Sequence, residues 1–206
     1  MLSGTQLQDE GGFLLIDLIV AALLLLIVLS AFTGLYTMIG GRANTLEKQA
    51  VLAAQARPML DTMAAELQSA MCNATTQPIT SASGTQVTFT TPDRQQPYHL
   101  QQITYTLAGG VLSRQVAVST NTGGPPWTIG AAQASTTATS VTNATVFDFL
   151  SSSGTDLSPG GAAVTAANLP SIAKVTMTLV VAPPAGRGSG SLTAETSATL
   201  RTPTCN

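Results

Sequence analysis

An apolar run near the N-terminus constrains this chain more than any other feature of its sequence. The run extends from Phe13 to Ile39, and Asp17 is its only charged residue. It exceeds the roughly 20 residues that a helix needs to span a bilayer. A carboxylate near the centre of a bilayer costs roughly 2.5–3.5 kcal/mol on insertion scales, so a chain that keeps one usually provides a partner for it. We therefore expect Asp17 to meet a positive charge on a neighbouring copy or on a related subunit.

The residues around this charge, from Gly11 to Asp17, resemble the N-terminus of type IV pilins and of the related pseudopilins and competence pilins. In that family a short leader ends in Gly, a dedicated peptidase cuts before a Phe, and the new amine is methylated. The resemblance implies a leader over residues 1–12, with cleavage between Gly12 and Phe13. It also implies that Asp17 takes the place of the acidic residue, usually Glu, that lies near the N-terminus of an adjacent subunit.

A plain signal anchor and a secretory signal peptide are alternatives to this interpretation. The leader carries Asp9 and Glu10 but no Lys or Arg, whereas secretory signals and family leaders have a basic start. Ser30-Ala31-Phe32 is a poor candidate for a signal-peptidase site after the apolar core. Without basic residues in the leader, the orientation in the membrane is inferred mainly from the family resemblance.

The charge content favours an envelope or surface protein. Only 9% of the residues are charged, with 8 basic and 10 acidic side chains. Removal of a leader with Asp9 and Glu10 leaves 8 acids against 8 bases. Neutral subunits pack side by side without strong repulsion, and the lack of a basic surplus argues against a nucleic-acid partner.

The chain has two cysteines, Cys72 and Cys205, at opposite ends of the region that follows the helix. Outside the cytoplasm this arrangement predicts one disulfide, which ties the C-terminal tail to the helix end. In the chain-entropy model such a long loop stabilises the fold by about 4–5 kcal/mol. Two free buried thiols are the alternative.

A second helical segment follows the apolar run. Residues from Arg42 to Met71 are rich in strong helix formers. Asp61 and Glu66 mark the wetter faces of this segment. Spacings of three and four predict one buried stripe, made of Leu60, Met63, Leu67 and Met71.

Two features interrupt the helical pattern. Pro58 removes one backbone hydrogen bond and predicts a kink. Gly40-Gly41 could mark a break, with Asn44 or Thr45 capping a second helix.

After Cys72 the apolar pattern changes to period two, which predicts strands. These are Thr85–Thr91, Gln102–Leu107, Val111–Val118, Val146–Leu150, Lys174–Val181 and Leu192–Leu200. Gly109-Gly110 predicts a hairpin turn. Three low-charge stretches between the strands are predicted as loops, namely Asn121–Gly130, Ala131–Asn143 and Ser151–Ala167. The pattern predicts an α+β fold in which an antiparallel sheet packs on the outer half of a long N-terminal helix.

The hairpin from Ile103 to Arg114 and the Phe147-Asp148-Phe149-Leu150 run are similar to those of larger minor pilins. That group includes the J-type minor pseudopilin of type II secretion and the W-type minor pilin of type IV pili. The resulting organisation is a leader at 1–12, a transmembrane or filament-core helix at 13–41, an amphipathic helix at 42–72 and a β-rich head at 73–206.

No catalytic, metal or cofactor site is predicted. The single histidine, His99, lies in a predicted loop, and there is no metal-ligand spacing, nucleophile elbow or phosphate loop. The carboxylates of Asp93, Asp148 and Asp156 are scattered along the sequence. Asn73 and Asn143 begin glycosylation-type triplets, which arise often by chance.

These observations predict a non-enzymatic minor pilin or pseudopilin of a type IV pilus, type II secretion or competence filament. Its expected partners are the prepilin peptidase, membrane lipid before assembly, and other pilin or pseudopilin subunits bound through the N-terminal helix. We expect a single-pass protein of the bacterial cell membrane with its head outside the cytoplasm, and later a place in a filament and its tip or initiation complex. The alternative is a membrane-anchored adhesion module that never polymerises, with its function in the loop around Trp127.

Overall fold

The structure is a computed structural model, and it describes residues 11–74, 76–93, 96–183, 191–201 and 205. Side chains 11–15, 39–52 and 55 lie outside this description, as does the predicted leader up to residue 10. The chain divides into two compact units, Met1–Glu47 and Lys48–Asn206.

One helix, α1, extends over Gly11–Gln68 and has 58 residues. The break considered at Gly40-Gly41 is absent from its backbone, and Pro58 lies inside the helix without ending it. The hydroxyl of Thr62 donates to the carbonyl of Pro58 at 2.8 Å.

The helix ends three residues before the predicted end at Met71. Its last turn tightens, because the Ala70 amide donates to the carbonyl of Leu67 at 3.1 Å. The Met71 amide then donates to Thr90 at 2.9 Å, so the chain leaves the helix to pair with a strand. The side chain of Met71 is 37% exposed, and its predicted place in the buried stripe is therefore wrong.

The β-rich region contains eight strands within the described ranges. They are β1 (Ile79–Ser83), β2 (Gln86–Pro92), β3 (Leu100–Ala108), β4 (Val111–Ser119), β5 (Ile129–Ala138), β6 (Phe147–Ser151), β7 (Ile172–Val181) and β8 (Leu192–Thr199). They form a five-stranded sheet in the order β1-β2-β3-β4-β5 and a three-stranded sheet in the order β6-β7-β8. Every neighbouring pair is antiparallel.

The α+β class and all six predicted strands are confirmed, with shifts of one or two residues at most ends. Three details differ. The antiparallel strands form two sheets instead of one, and β1 was not predicted. Strand β5 occupies most of the stretch Ala131–Asn143 that was predicted as loop. The turn prediction is confirmed, because Gly109 and Gly110 both have positive φ, 56° and 74°, between the paired residues Ala108 and Val111.

The outer part of α1 supplies the centre of the core. Leu60, Met63 and Leu67 are at most 2% exposed, as their spacing predicted. They belong to one buried cluster with residues of both sheets, which include Phe89, Ile103, Tyr105, Leu112, Phe149, Val175, Met177 and Leu179. The helix is therefore the element on which the head is built.

Candidate functional site

The first part of α1 presents an apolar surface that no other described residue covers. The segment Ile16–Met38 has 23 residues, a mean hydropathy of 2.8 and no buried residue. At 1.5 Å per residue it measures about 35 Å, against a hydrocarbon thickness of about 30 Å. By length and composition this helix can cross a membrane.

The serine and threonine hydroxyl groups within this segment bond to carbonyls of the helix itself. Ser30 donates to the carbonyl of Ile27 at 2.8 Å, and Thr37 donates to that of Gly34 at 2.9 Å. Thr33 reaches two carbonyls of the preceding turn at 3.0 Å. An unpaired polar group costs several kcal/mol in a bilayer core, so these bonds lower the cost of placing Ser30, Thr33 and Thr37 among lipid or other apolar helices.

Asp17 projects from this surface. Its side chain is exposed, and within the described part of the chain no hydrogen bond or ion pair places a basic group beside it. Among the described residues, Asp17 therefore has no positively charged partner. Gly12 and Phe13 lie in the first turns of α1, but their side chains fall outside the described residues, so cleavage and methylation at this bond remain predictions.

The predicted disulfide is present between Cys72 and Cys205, whose Cα atoms are 5.8 Å apart. It ties the tail that follows β8 to the end of the helix, as expected from the sequence. The alternative of two free thiols is wrong.

A charged cluster joins the helix to the five-stranded sheet. Arg114 of β4 donates from Nη2 to Glu66 Oε1 at 2.6 Å and from Nε to Oε2 at 3.3 Å. The hydroxyl of Tyr105 donates to Glu66 Oε2 at 2.7 Å. Burial and the adjacent carboxylate raise the pKa of Tyr105 far above its usual value of about 10.

Sequence reasoning missed this cluster. Helical position indicated that Glu66 is solvent-facing, whereas it is half-buried with its charge paired. Glu66 and Arg114 are 48 residues apart in the chain. The signal that was available is the isolated Arg114 in an otherwise uncharged strand, since a half-buried guanidinium needs a carboxylate.

The loop around Trp127 is anchored to the head. The backbone amide of Trp127 donates to Asn73 Oδ1 at 2.8 Å, and the backbone carbonyl of Trp127 accepts from Asn73 Nδ2 at 3.0 Å. The indole is half-buried and packs on the backbone of Gly124. These contacts favour a turn-anchoring role for Trp127 over adhesion. They also occupy the side chain of Asn73, which begins the first glycosylation-type triplet.

The remaining polar candidates also have structural partners. His99 Nδ1 lies 3.1 Å from the carbonyl of Ser119, and Asn143 bonds the backbone at Thr178 and Val180. The side-chain hydroxyl of Ser158 donates to Asp148 at 3.2 Å, and its amide donates to Asp156 at 2.7 Å. Within the described ranges no three His, Cys, Asp or Glu side chains come close enough to hold a metal.

No protein-family model matches this chain, and no curated protein matches it at a significant level. Its function therefore has to be argued from its own residues.

Proposed function

We propose that this chain is a minor pilin or pseudopilin, a non-enzymatic subunit of a type IV pilus, a type II secretion pseudopilus or a competence filament. The observation that carries the proposal is the combination of two surfaces in one helix. The segment Ile16–Met38 is wholly exposed and carries one carboxylate, Asp17, which has no basic partner among the described residues, whereas Leu60, Met63 and Leu67 are buried in the core of the head.

The apolar surface of such a helix has to be covered by one partner before assembly and by another after it. Before assembly its apolar surface is covered by lipid, and after assembly it is covered by the same surface of other subunits. In the assembled filament the N-terminal amine of a neighbouring Phe13 would neutralise Asp17, which offsets the cost of burying the carboxylate and sets the axial register.

The head supports this function as well. A disulfide closes it between Cys72 and Cys205, which is typical of proteins that fold outside the cytoplasm. The size of the head and its long loops favour a minor or tip-complex subunit over the abundant main pilin. With Trp127 held by Asn73, the structure favours this function over an adhesion module centred on that loop.

The experiment that tests the proposal is mass spectrometry of the mature N-terminus. The chain is expressed with and without a prepilin peptidase, and the membrane fraction is analysed. We expect a peptidase-dependent N-terminus at Phe13 with a methylated amine. An intact Met1 in the presence of the active peptidase contradicts the proposal and leaves an anchored surface domain, and an end near Phe32 leaves a secreted one.

Two neighbouring glycines provide a matched control. Gly12→Ala alters the residue before the expected cut and should block processing. Gly11→Ala makes the same change one residue earlier and should leave processing intact. Equal processing of both variants would place the cut elsewhere.

A further inference from the structure

The two sheets have four edge strands, and three of these have protection against pairing with another chain. Beside β1, the amide of Val164 donates to Ala82 at 2.8 Å. Beside β6, the amide of Leu157 donates to Phe149 at 2.8 Å. Strand β8 carries an exposed charge, Glu195. Cover by another segment and charged side chains are two of the devices by which natural proteins protect sheet edges.

Strand β5 lacks these devices. Its ten residues include no charged residue and no proline. Within the described part of the chain its backbone pairs with β4 alone. The six consecutive residues Ala131–Thr136 are exposed on both faces, and we refer to them as the open edge.

The open edge is also regular. The pairing of β5 with β4 shifts register near each end of the strand, but the five pairs from Ala117↔Ala132 to Ser113↔Thr136 are uninterrupted. From Thr136 onward the strand borders helix residues Ala54 and Pro58 across a cavity. Residues 132–136 of the open edge are therefore an uncharged stretch without bulges, and an edge of this form can accept an added strand.

We propose that the open edge pairs with the open edge of a second copy of this chain. A twofold interface brings the same residues of the two copies together, so each residue has to tolerate its own kind as a neighbour. The open edge meets this requirement, because it consists of Ala, Ser, Thr and one Gln and has no charge to repel its counterpart.

The apolar helix segment strengthens such a contact. A pair of short strands alone buries little surface, and isolated two-stranded pairing is marginal in water. Segment Ile16–Met38 can hold both copies in one bilayer, and confinement raises their effective concentration. The inference needs only a membrane-held chain and does not depend on filament assembly.

The test uses the full-length chain in membranes and single cysteines at each of the residues 132–136. A bis-maleimide reacts with the added thiol, whereas Cys72 and Cys205 are occupied by their disulfide. We expect a covalent dimer. If the two open edges pair antiparallel, the yield of cross-linked dimer should have one maximum along the scan. If they pair parallel, the dimer should form at alternate positions.

Thr193→Cys provides the matched control for the scan, because Thr193 is an exposed threonine on the edge strand β8. It should give little dimer. Equal yields at Thr193 and along the open edge, or no dimer at any scanned position, would overturn the proposal. Cross-links that join the open edge only to a different protein would overturn it too.

A charge placed on the edge gives an independent readout. Ala134→Lys should lower the dimer yield by about tenfold, because Ala134 is central in the scanned stretch and the interface then contains two lysines close to one another. Ala134→Gln, similar in length and uncharged, should retain the dimer. Co-expression of Ala134→Lys with Ala134→Glu should restore a mixed dimer, and an intact Cys72–Cys205 disulfide in each variant shows that the head has folded. An unchanged yield in Ala134→Lys would contradict the self-pairing.

Discussion

Asp17 is the residue on which the proposed assembly depends most directly. Asp17→Ala should leave membrane insertion intact, because it removes a charge from an apolar segment. It should reduce incorporation into filaments, because the N-terminal amine of the neighbouring subunit loses its partner. The measurements are the membrane-bound fraction of the chain and its fraction in sheared filaments.

Two variants at the same position separate charge from shape. Asp17→Asn keeps the shape without the charge and should behave like Asp17→Ala. Asp17→Glu keeps the charge and adds one methylene, and it should assemble. Normal incorporation of Asp17→Asn would show that the carboxylate has no role in assembly.

Glu66 connects α1 to the sheet through Arg114 and Tyr105. Glu66→Ala leaves a half-buried guanidinium and a buried hydroxyl without their acceptor, so we expect a loss of about 2–3 kcal/mol in the free energy of unfolding. Urea unfolding followed by the fluorescence of Trp127, the single tryptophan, measures it. Asp61→Ala removes an exposed carboxylate from the same helix and should change little. If Glu66→Ala loses no more unfolding free energy than Asp61→Ala, the cluster adds no stability.

Tyr105 makes the stability of the head depend on pH in alkaline solution. Its pKa is raised in the folded protein by burial and by Glu66, so above pH of about 10 the unfolded chain loses this proton while the folded chain retains it. The contribution of Tyr105 is therefore complete below pH of about 10 and falls as the pH rises further. Tyr105→Phe should flatten this decline. The measurement is the unfolding free energy of the original protein and of the variant as the pH rises above about 10. Parallel curves for the two proteins would contradict the prediction.

Within the helix, burial depends on where α1 ends. Leu67 is fully buried, whereas Met71, four residues later, is 37% exposed. We expect Leu67→Ala to cost about 2–5 kcal/mol in unfolding free energy and Met71→Ala to cost less than about 1 kcal/mol. Urea unfolding of both variants checks this. A similar loss of unfolding free energy in the two would mean that Met71 is buried as the sequence predicted.

The strands differ in how clearly the sequence predicts them. Strand β7 alternates buried and less buried residues along its length, and its period-two pattern is visible in the sequence. Strand β5 has no buried residue, so it has no apolar alternation to detect. Strand β1 has only Ile79 and Ala82 as buried apolar residues, too few to define a period. Periodicity reveals an element only where one of its faces packs against a core.

For a similar reason, the sequence did not predict where the helix ends or whether it is continuous. Met71 has the spacing of the buried stripe, but a hydrogen bond to Thr90 removes it from the helix. Gly40-Gly41 lowers helix propensity, yet propensity is a weak guide inside a long helix. In each case the outcome depends on residues distant in the sequence or on the rest of the element.

For the whole molecule, the sequence predicted the class of the fold and the disulfide but not the division into two sheets. Alternation identifies strands without identifying their neighbours. Here β5 joins β4, and β6 begins a new sheet with β7. The contact between Glu66 and Arg114 was missed for the same reason, since long-range pairing leaves no local pattern.

The Cys72–Cys205 disulfide spans 133 residues and should stabilise the head mainly through its unfolded state. Strand β8 pairs with β7 from Leu192 to Thr199, and Leu200 bonds Ala173 at 2.9 Å. The native sheet therefore does not need the disulfide to hold its last strand. In the chain-entropy model, replacement of both cysteines by serine should lower the unfolding free energy by about 4–5 kcal/mol.

The fluorescence of Trp127 distinguishes this mechanism from loss of native structure. Below the unfolding transition, the double serine variant should keep the native emission, because Asn73 still holds the backbone of Trp127. Asn73→Ala should do the reverse, with a red-shifted emission and a smaller loss of stability, about 1–2 kcal/mol for two backbone contacts. A red shift in the serine variant under native conditions would instead mean that the disulfide holds the loop in place. An unchanged unfolding midpoint would mean that the bond contributes no stability to the head.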